Sequence, residues 1–291
     1  MWCSGRDSDP GLRLERPLNR LDYTLNWRDN RADFIDYLES KRFNAWYAHD
    51  MLSYLDKNVT VIRGPMDLMR IFAKLTQGQA HHLNRGIRNL LNFMELKGVN
   101  PDYLNALRKA IPQDITGYDL NVPSESEIAS SLRMLNAAPL RYQALYNLLL
   151  DSGLRLTEGI KLLNQLENAV PVNGFYRCTL GYFRGSKVAY AAYFTAPTLA
   201  FIQQNHEKLS DRTASHYYYK NGYVAPKHLR KFAFDTMISE ALSIPESVAD
   251  FIEGRVPTKI GAKHYAALLR QADGYYGHYA DYITRVRASA L

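Results

Sequence analysis

Cysteine is nearly absent from this chain: Cys3 and Cys178 are the only two. They build no disulfide framework and give no metal-ligand spacing, which points to a reducing compartment. No apolar run approaches the ~20 residues that a membrane-spanning helix needs, and the N-terminus carries no signal-peptide core. No internal repeat or low-complexity tract is visible. What is present suits a globular protein: 291 residues, 46% hydrophobic and 22% charged, is material for one large domain or two modest ones. Lys and Arg outnumber Asp and Glu by 36 to 29, and the net charge of +7 favours a polyanionic partner. The expectation is a soluble, cytoplasmic protein with no membrane attachment.

Residues 1–28 are rich in Arg, Asp and Pro and read as a loosely ordered leader. Helical periodicity follows. Ala32, Phe34, Ile35 and Leu38 predict one helix, Trp46, Met51, Leu52 and Leu55 a second, and residues 66–75 a third. In residues 80–97, Leu83, Ile87, Leu90, Leu91 and Met94 form an apolar stripe, with His81, Arg85 and Arg88 on another face. A short helix ending at Ile111 completes a helical domain over 29–112. The polar, turn-rich stretch that follows places a linker at 113–122 and a second domain over 123–272, with a separate C-terminal segment at 273–291.

The second domain opens with helical patterns at 127–136 and 140–150; a break at Asp151-Ser152-Gly153 precedes a helix restarting at Thr157. Residues 175–194 are rich in β-formers on both sides of Arg184-Gly185-Ser186, which predicts a hairpin. Helical patterns return at 198–208, 226–242, 245–253 and 260–272. The fold class is therefore mainly α with one small antiparallel β-sheet.

Five residues stand out for chemistry: Arg155, Lys227, Arg230, Arg255 and Tyr265. Arg155 follows Gly153 in an inter-helix turn, with Glu158 three residues on to steady it. Its planar fork can hold two phosphate oxygens at once, which a lysine cannot do. Lys227, Arg230 and Lys231 share one face at the start of a helix opened by Pro226, where cations oppose the dipole and an anionic partner would relieve the cost. His228 falls about 200° around the helix from Arg230. Gly254 reads as a C-cap that leaves Arg255 in a loop, and Tyr265 follows ten residues later. With 21 tyrosines in the chain, only that offset distinguishes Tyr265 from neighbours such as Tyr275, Tyr276, Tyr279 and Tyr282. Lys187 and Arg184 flank the hairpin turn.

Taken in order, Arg155 with Glu158, a hairpin cation, Lys227-x-x-Arg230, Gly254-Arg255 and Tyr265 resemble the tyrosine recombinase (phage-type integrase) family over roughly residues 30–275. Lysine and arginine stand at 227 and 255, where the family usually has histidine or tryptophan. That pattern resembles the divergent integrases of archaeal viruses and plasmids. The resemblance implies a helical core-binding domain followed by a tyrosine-recombinase catalytic domain, and a nucleoid-associated place in the host cell. In it Tyr265 attacks a DNA phosphodiester to form a 3′-phosphotyrosyl link and Arg155 and Arg230 hold the non-bridging oxygens. Lys227 and Arg255 assist, and Lys187 protonates the leaving 5′ oxygen. Counting from the turn glycine leaves Arg184 as the alternative hairpin acid; arginine is the poorer proton donor. His81, Arg85, Arg88, Arg184 and Lys231 are expected to bind DNA. The implied partners are double-stranded DNA and a homo-tetramer spanning two DNA sites, with residues 273–291 contacting a neighbouring protomer. Neither a metal nor another cofactor is implied, because bond energy is conserved in the covalent link. Two further readings stay open: a type IB topoisomerase-like nicking-closing enzyme, and a DNA-binding module whose catalytic set has decayed.

Overall fold

The computed structural model describes residues 24–114, 117, 119–166, 168–184, 187–255 and 265–290, with the backbone alone for 182–184, 187, 188, 265 and 266. The chain divides into two compact units, Met1–Tyr118 and Asp119–Leu291. Among the described residues there are thirteen helices and five short strands, so the protein is mainly α with small antiparallel sheets. No described helix is long and apolar enough to cross a membrane.

The first unit holds β1 (Leu25–Asn26), α1 (Trp27–Ser40), α2 (Ala45–Asn58), β2 (Val61–Ile62), α3 (Pro65–Phe72), α4 (Gln77–Leu96) and α5 (Pro101–Ala110). The apolar stripe of α4 is its spine: Leu83, Ile87, Leu90 and Leu91 are fully buried against Met51 and Leu55 of α2 and Phe34 of α1. Gly86 lets the two helices approach, since a Cβ there would fall 3.3 Å from the Met51 carbonyl oxygen. A Thr76 capping box starts α4. The expected leader is shorter than 28 residues. Leu25 and Trp27 are buried in this core, and β1 pairs antiparallel with β2 through Leu25–Ile62. The apolar character of these two residues outweighs the polar composition around them. Residues 1–23 lie outside the described residues.

The second unit is built around α7 (Leu140–Ser152), which follows α6 (Glu125–Leu135). Ala144, Leu145, Tyr146, Leu148, Leu149 and Leu150 are all fully buried, the signature of a helix enclosed on every side. Around it pack α8 (Leu156–Asn164), the sheet β3 (Val170–Val172), β4 (Phe175–Arg184) and β5 (Lys187–Phe194), then α9 (Ala196–Gln204) and α10 (Asp211–Lys220). The unit closes with α11 (Pro226–Ile238), α12 (Glu246–Ile252) and α13 (Tyr265–Ser289). Strand order is β3-β4-β5, and the hairpin register brings Arg184 opposite Lys187. β3 escaped the sequence reading because Val170-Pro171-Val172 is short and carries a proline, which confines it to an edge.

Helix α13 corrects one boundary. No break falls at residue 273: through Ser289 the chain continues α13, and Tyr276, Tyr279, Ile283 and Val286 are buried in their own unit. The Tyr276 and Tyr279 hydroxyls donate to the carbonyls of Asp151 (3.1 Å) and Leu150 (2.8 Å). These are orphan carbonyls at the C-terminal end of α7, which need an outside partner. The Arg287 guanidinium donates to fully buried Asp151, whose other oxygen accepts from the Thr195 backbone N–H and hydroxyl, each at 2.8 Å. One end of α7 is thereby fastened to α13, and Arg155 lies three residues beyond Ser152.

Candidate active site

Two glycine caps aim the arginines. Gly153 ends α7 with φ +59°, donating its N–H to the Leu149 carbonyl at 2.9 Å. The chain then turns so that Arg155 becomes the N-cap of α8, and Glu158 accepts the Arg155 backbone N–H at 2.9 Å. Gly254 ends α12 with φ +73° in a Schellman motif. Its N–H donates to Phe251 and that of Arg255 to Asp250, at 3.1 and 2.7 Å. Arg230 comes from the start of the second turn of α11, which Pro226 opens.

These three arginines, up to a hundred residues apart in sequence, converge on the turn 253–255. Arg155 Nη1 donates to the Gly254 carbonyl and to Glu158 Oε1, both at 2.8 Å. Arg230 Nη1 donates to the Gly153 carbonyl at 2.7 Å and to the Glu253 carbonyl. Arg255 Nε lies 2.9 Å from Glu253 Oε2 and 3.6 Å from Asp250 Oδ1, with its guanidinium 4.4 Å from the centre of the Phe234 ring. Exposure falls from 38% for the Arg255 side chain to 27% for Arg155 and 12% for Arg230. Burial pushes the Arg230 guanidinium down to about 10, with Arg155 and Arg255 adding to the effect and Glu253 opposing it. At neutral pH it is still a cation, in surroundings that favour an added anion.

The cluster contains a group that the sequence reading missed. Glu253 is fully buried, and neither carboxylate oxygen makes an aligned hydrogen bond. Burial pushes its carboxyl up to about 7, while Arg230 and Arg255 pull it down. It packs directly on Gly153, where a Cβ would fall 2.8 Å from Oε1. The available signal was the spacing of Ala249, Ile252 and Glu253, which places the glutamate on the apolar face of α12.

Lys227 is exposed, 3.3 Å from Asp119 Oδ2, and Lys231 reaches the same oxygen at 2.9 Å. His228 Nε2 lies 3.6 Å from it. The Asp119 carboxyl is held well below the usual range, chiefly by its bond to Lys231. The cations at the start of α11 thus already have one carboxylate against them. Lys187 begins β5 opposite Arg184, and Tyr265 is the first residue of α13; the side chains of all three, and the segment 256–264, lie outside the described residues. Three of the four competing tyrosines are engaged: Tyr276 and Tyr279 are buried with their hydroxyls on α7, and the Tyr282 hydroxyl donates to Glu125 at 2.7 Å.

In the first unit the cations expected to meet DNA have local partners. His81 lies 3.2 Å from Asp114, Arg85 donates to Asp50 at 2.9 Å beside the Tyr47 ring, and Arg88 donates to Asn84 at 2.6 Å. Among the described residues no group of three or more His, Cys, Asp or Glu is placed to hold a metal ion.

Residues 120–282 match the model of the archaeal phage integrase family. A search of curated proteins finds no match. Among solved structures, the chain is similar to lambda integrase in a dimer bound to a COC′ core site, with a TM-score of 0.61 at 10% identity, over 80% of this chain and 96% of that one. It is similar also to lambda integrase in a tetramer bound to a Holliday junction, with a TM-score of 0.58 at 13% identity, over 88% of this chain and 84% of that one. At such identities the likeness is one of fold; the family match, which spans the whole arginine cluster and Tyr265, identifies the chain. This protein belongs to the archaeal phage integrase family, and so to the tyrosine recombinases, enzymes that transfer DNA strands.

Proposed function

We propose that this chain is a site-specific recombinase that integrates a mobile element into a host chromosome through a 3′-phosphotyrosyl intermediate. The observation that carries the reading is the convergence of Arg155, Arg230 and Arg255 on one turn, with donors of graded exposure and a depressed guanidinium at the centre.

The Tyr265 oxygen attacks the scissile phosphorus and forms the new P–O bond as the bond to the 5′ oxygen breaks. Arg155 and Arg230 take the two non-bridging oxygens, whose charge grows in the pentacoordinate transition state, and Arg255 and Lys227 add positive potential. Lys187 gives its proton to the departing 5′ oxygen, a step typically worth 10²–10⁴-fold. A phenol with a reference pKa near 10 is mostly neutral at pH 7, and the cationic surroundings favour its phenolate. Attack of another strand's 5′-hydroxyl on the phosphotyrosine reverses the step, so bond energy is retained and no ATP is consumed.

Double-stranded DNA is the partner, and two sites exchange strands within a tetramer. Lys231, Arg184, His81, Arg85 and Arg88 serve as DNA contacts; for Lys231, His81 and Arg85 a phosphate displaces the carboxylate each now faces. Incubation with a library of nicked duplexes, followed by sequencing of the protein-linked 3′ ends, tests the reading. One enriched sequence is expected; no linked ends at all would contradict it.

A further inference from the structure

Glu253 is the fully buried carboxylate of the cluster, and that chemistry assigns it no task. Replacing it with an apolar residue of similar volume would remove a costly buried charge, and a buried ion pair stabilises a fold only when its geometry is excellent. Here the geometry is not: both Glu253 oxygens and Arg230 Nη2 are buried without an aligned hydrogen bond, Arg230 Nη2 lies 3.6 Å from Oε2, and the nearer Arg255 Nε, at 2.9 Å, meets the same oxygen off line and leaves Oε1 unmet. Donors and acceptor are close enough to attract and too poorly aligned to satisfy each other. Such a site is matched to a second acceptor.

We propose that Glu253 is the resident counter-anion of the arginine cluster, holding Arg230 and Arg255 while the phosphate is away and taking up a proton when the phosphate arrives. The inference rests on reading the three arginines as the phosphate site. The charged groups around the carboxylate are Arg155 and Glu158 from the start of α8, Arg230 from α11, and Asp250 and Arg255 from α12 and its cap; α13 brings the titratable but neutral Tyr279. Three guanidinium groups face three carboxylates, so at about pH 8, where Glu253 is ionised, the empty cluster is neutral. An incoming phosphodiester adds one negative charge in a region of low dielectric. Glu253 is the carboxylate that is fully buried, and one of its two guanidinium neighbours, Arg230, is also assigned to the phosphate. Burial already holds its carboxyl up at about 7, and a further anion beside it raises it again, towards the protonated form. Glu253 therefore acts as a positioning residue, setting the arginines and yielding its charge.

Sulfate is the probe, because it keeps one charge state across neutral pH. Calorimetric titration of the full chain in two buffers of different ionisation heat measures the protons taken up. At about pH 8 the wild type should take up close to one proton per sulfate bound, and its affinity should fall by up to tenfold per pH unit between about pH 7 and about pH 8.5. Glu253→Gln, nearly isosteric, should take up none, show a flat pH profile and bind sulfate more tightly at about pH 8.5. Arg230→Ala should lose the coupled binding. The proposal is overturned by a wild type that binds no sulfate or takes up no proton, by coupled binding that survives in Arg230→Ala, or by equal pH profiles in wild type and Glu253→Gln. Should the glutamine variant fail to fold, wild-type proton uptake alone decides. Linked 3′ ends without proton uptake defeat this inference and leave the recombinase reading intact; proton uptake without linked ends does the reverse.

Discussion

Gly153→Ala is the sharpest stability test of the cluster, because two separable penalties act at one atom. The first is conformational: φ is +59°, in the left-handed region, where a Cβ costs ~1–2 kcal/mol. The second is steric, since the new Cβ would stand 2.8 Å from Glu253 Oε1 and 2.9 Å from its Cγ. Glu253 is fully buried and cannot swing into solvent, so this overlap should cost a further ~1–3 kcal/mol. Gly222→Ala is the control. Like Gly153 it is a left-handed glycine just past the end of a helix, with φ +74°, and nothing lies within 4 Å of its Cβ position. It bears the conformational penalty alone, and the loss of unfolded-state entropy is common to both variants. Gly153→Ala should thus be less stable than Gly222→Ala by ~1–3 kcal/mol, read from urea midpoints at constant slope. All three tryptophans, Trp2, Trp27 and Trp46, lie in the first unit, so their fluorescence reports that unit alone. Far-UV circular dichroism follows both, and the transition without a fluorescence counterpart belongs to the second unit. Midpoints of the two variants that agree to within ~0.5 kcal/mol would refute the packing of Glu253 under Gly153.

Arg155→Lys and Arg230→Lys should each slow formation of the covalent link by ~10²–10³-fold with DNA binding retained, because a point charge cannot reproduce a bidentate fork; near-normal rates in both would remove the clamp assignment. Arg287→Ala should destabilise the second unit by ~3–5 kcal/mol, since it leaves buried Asp151 uncompensated, whereas exposed Arg270→Ala should stay within ~0.5 kcal/mol; equal losses would sink the α7–α13 fastening. The Glu253 carboxyl is raised from 4.5 to about 7 in the fold, so the folded state binds its proton more tightly than the unfolded chain does. Its contribution is fully present below about pH 4.5 and is lost as pH rises through about 7, a decline of ~3 kcal/mol that Glu253→Gln should lack. Parallel stability curves for the two proteins would contradict this.

Some of these features were legible in the sequence and others could not be. The turns that present Arg155 and Arg255 each announce themselves within a few residues, through Gly153 with Glu158 and through Gly254, because caps are local devices. Stripes such as that of α4 were legible for the same reason. Glu253 was legible only as a position on the apolar face of α12; its burial among the arginines depends on α7 and α11 closing over it. The partners of Arg85 and Lys231, Asp50 and Asp119, lie 35 and 112 residues away and are set by tertiary packing alone. Helix α10 was missed because its polar, tyrosine-rich sequence has weak apolar periodicity; its Tyr218 is nevertheless fully buried and bonded to the Tyr142 carbonyl. Helix α13 runs past the expected end at Ala272 because its later tyrosines, which read as polar, serve the open carbonyls of α7.

Attack on DNA by Tyr265 is put to the test by digesting the trapped protein–DNA adduct and locating the modified peptide. A single adduct on Tyr265 is expected, lost in Tyr265→Phe while DNA binding persists, because that change removes one oxygen and little volume. An adduct that survives in Tyr265→Phe and disappears in Tyr275→Phe or Tyr279→Phe would contradict it.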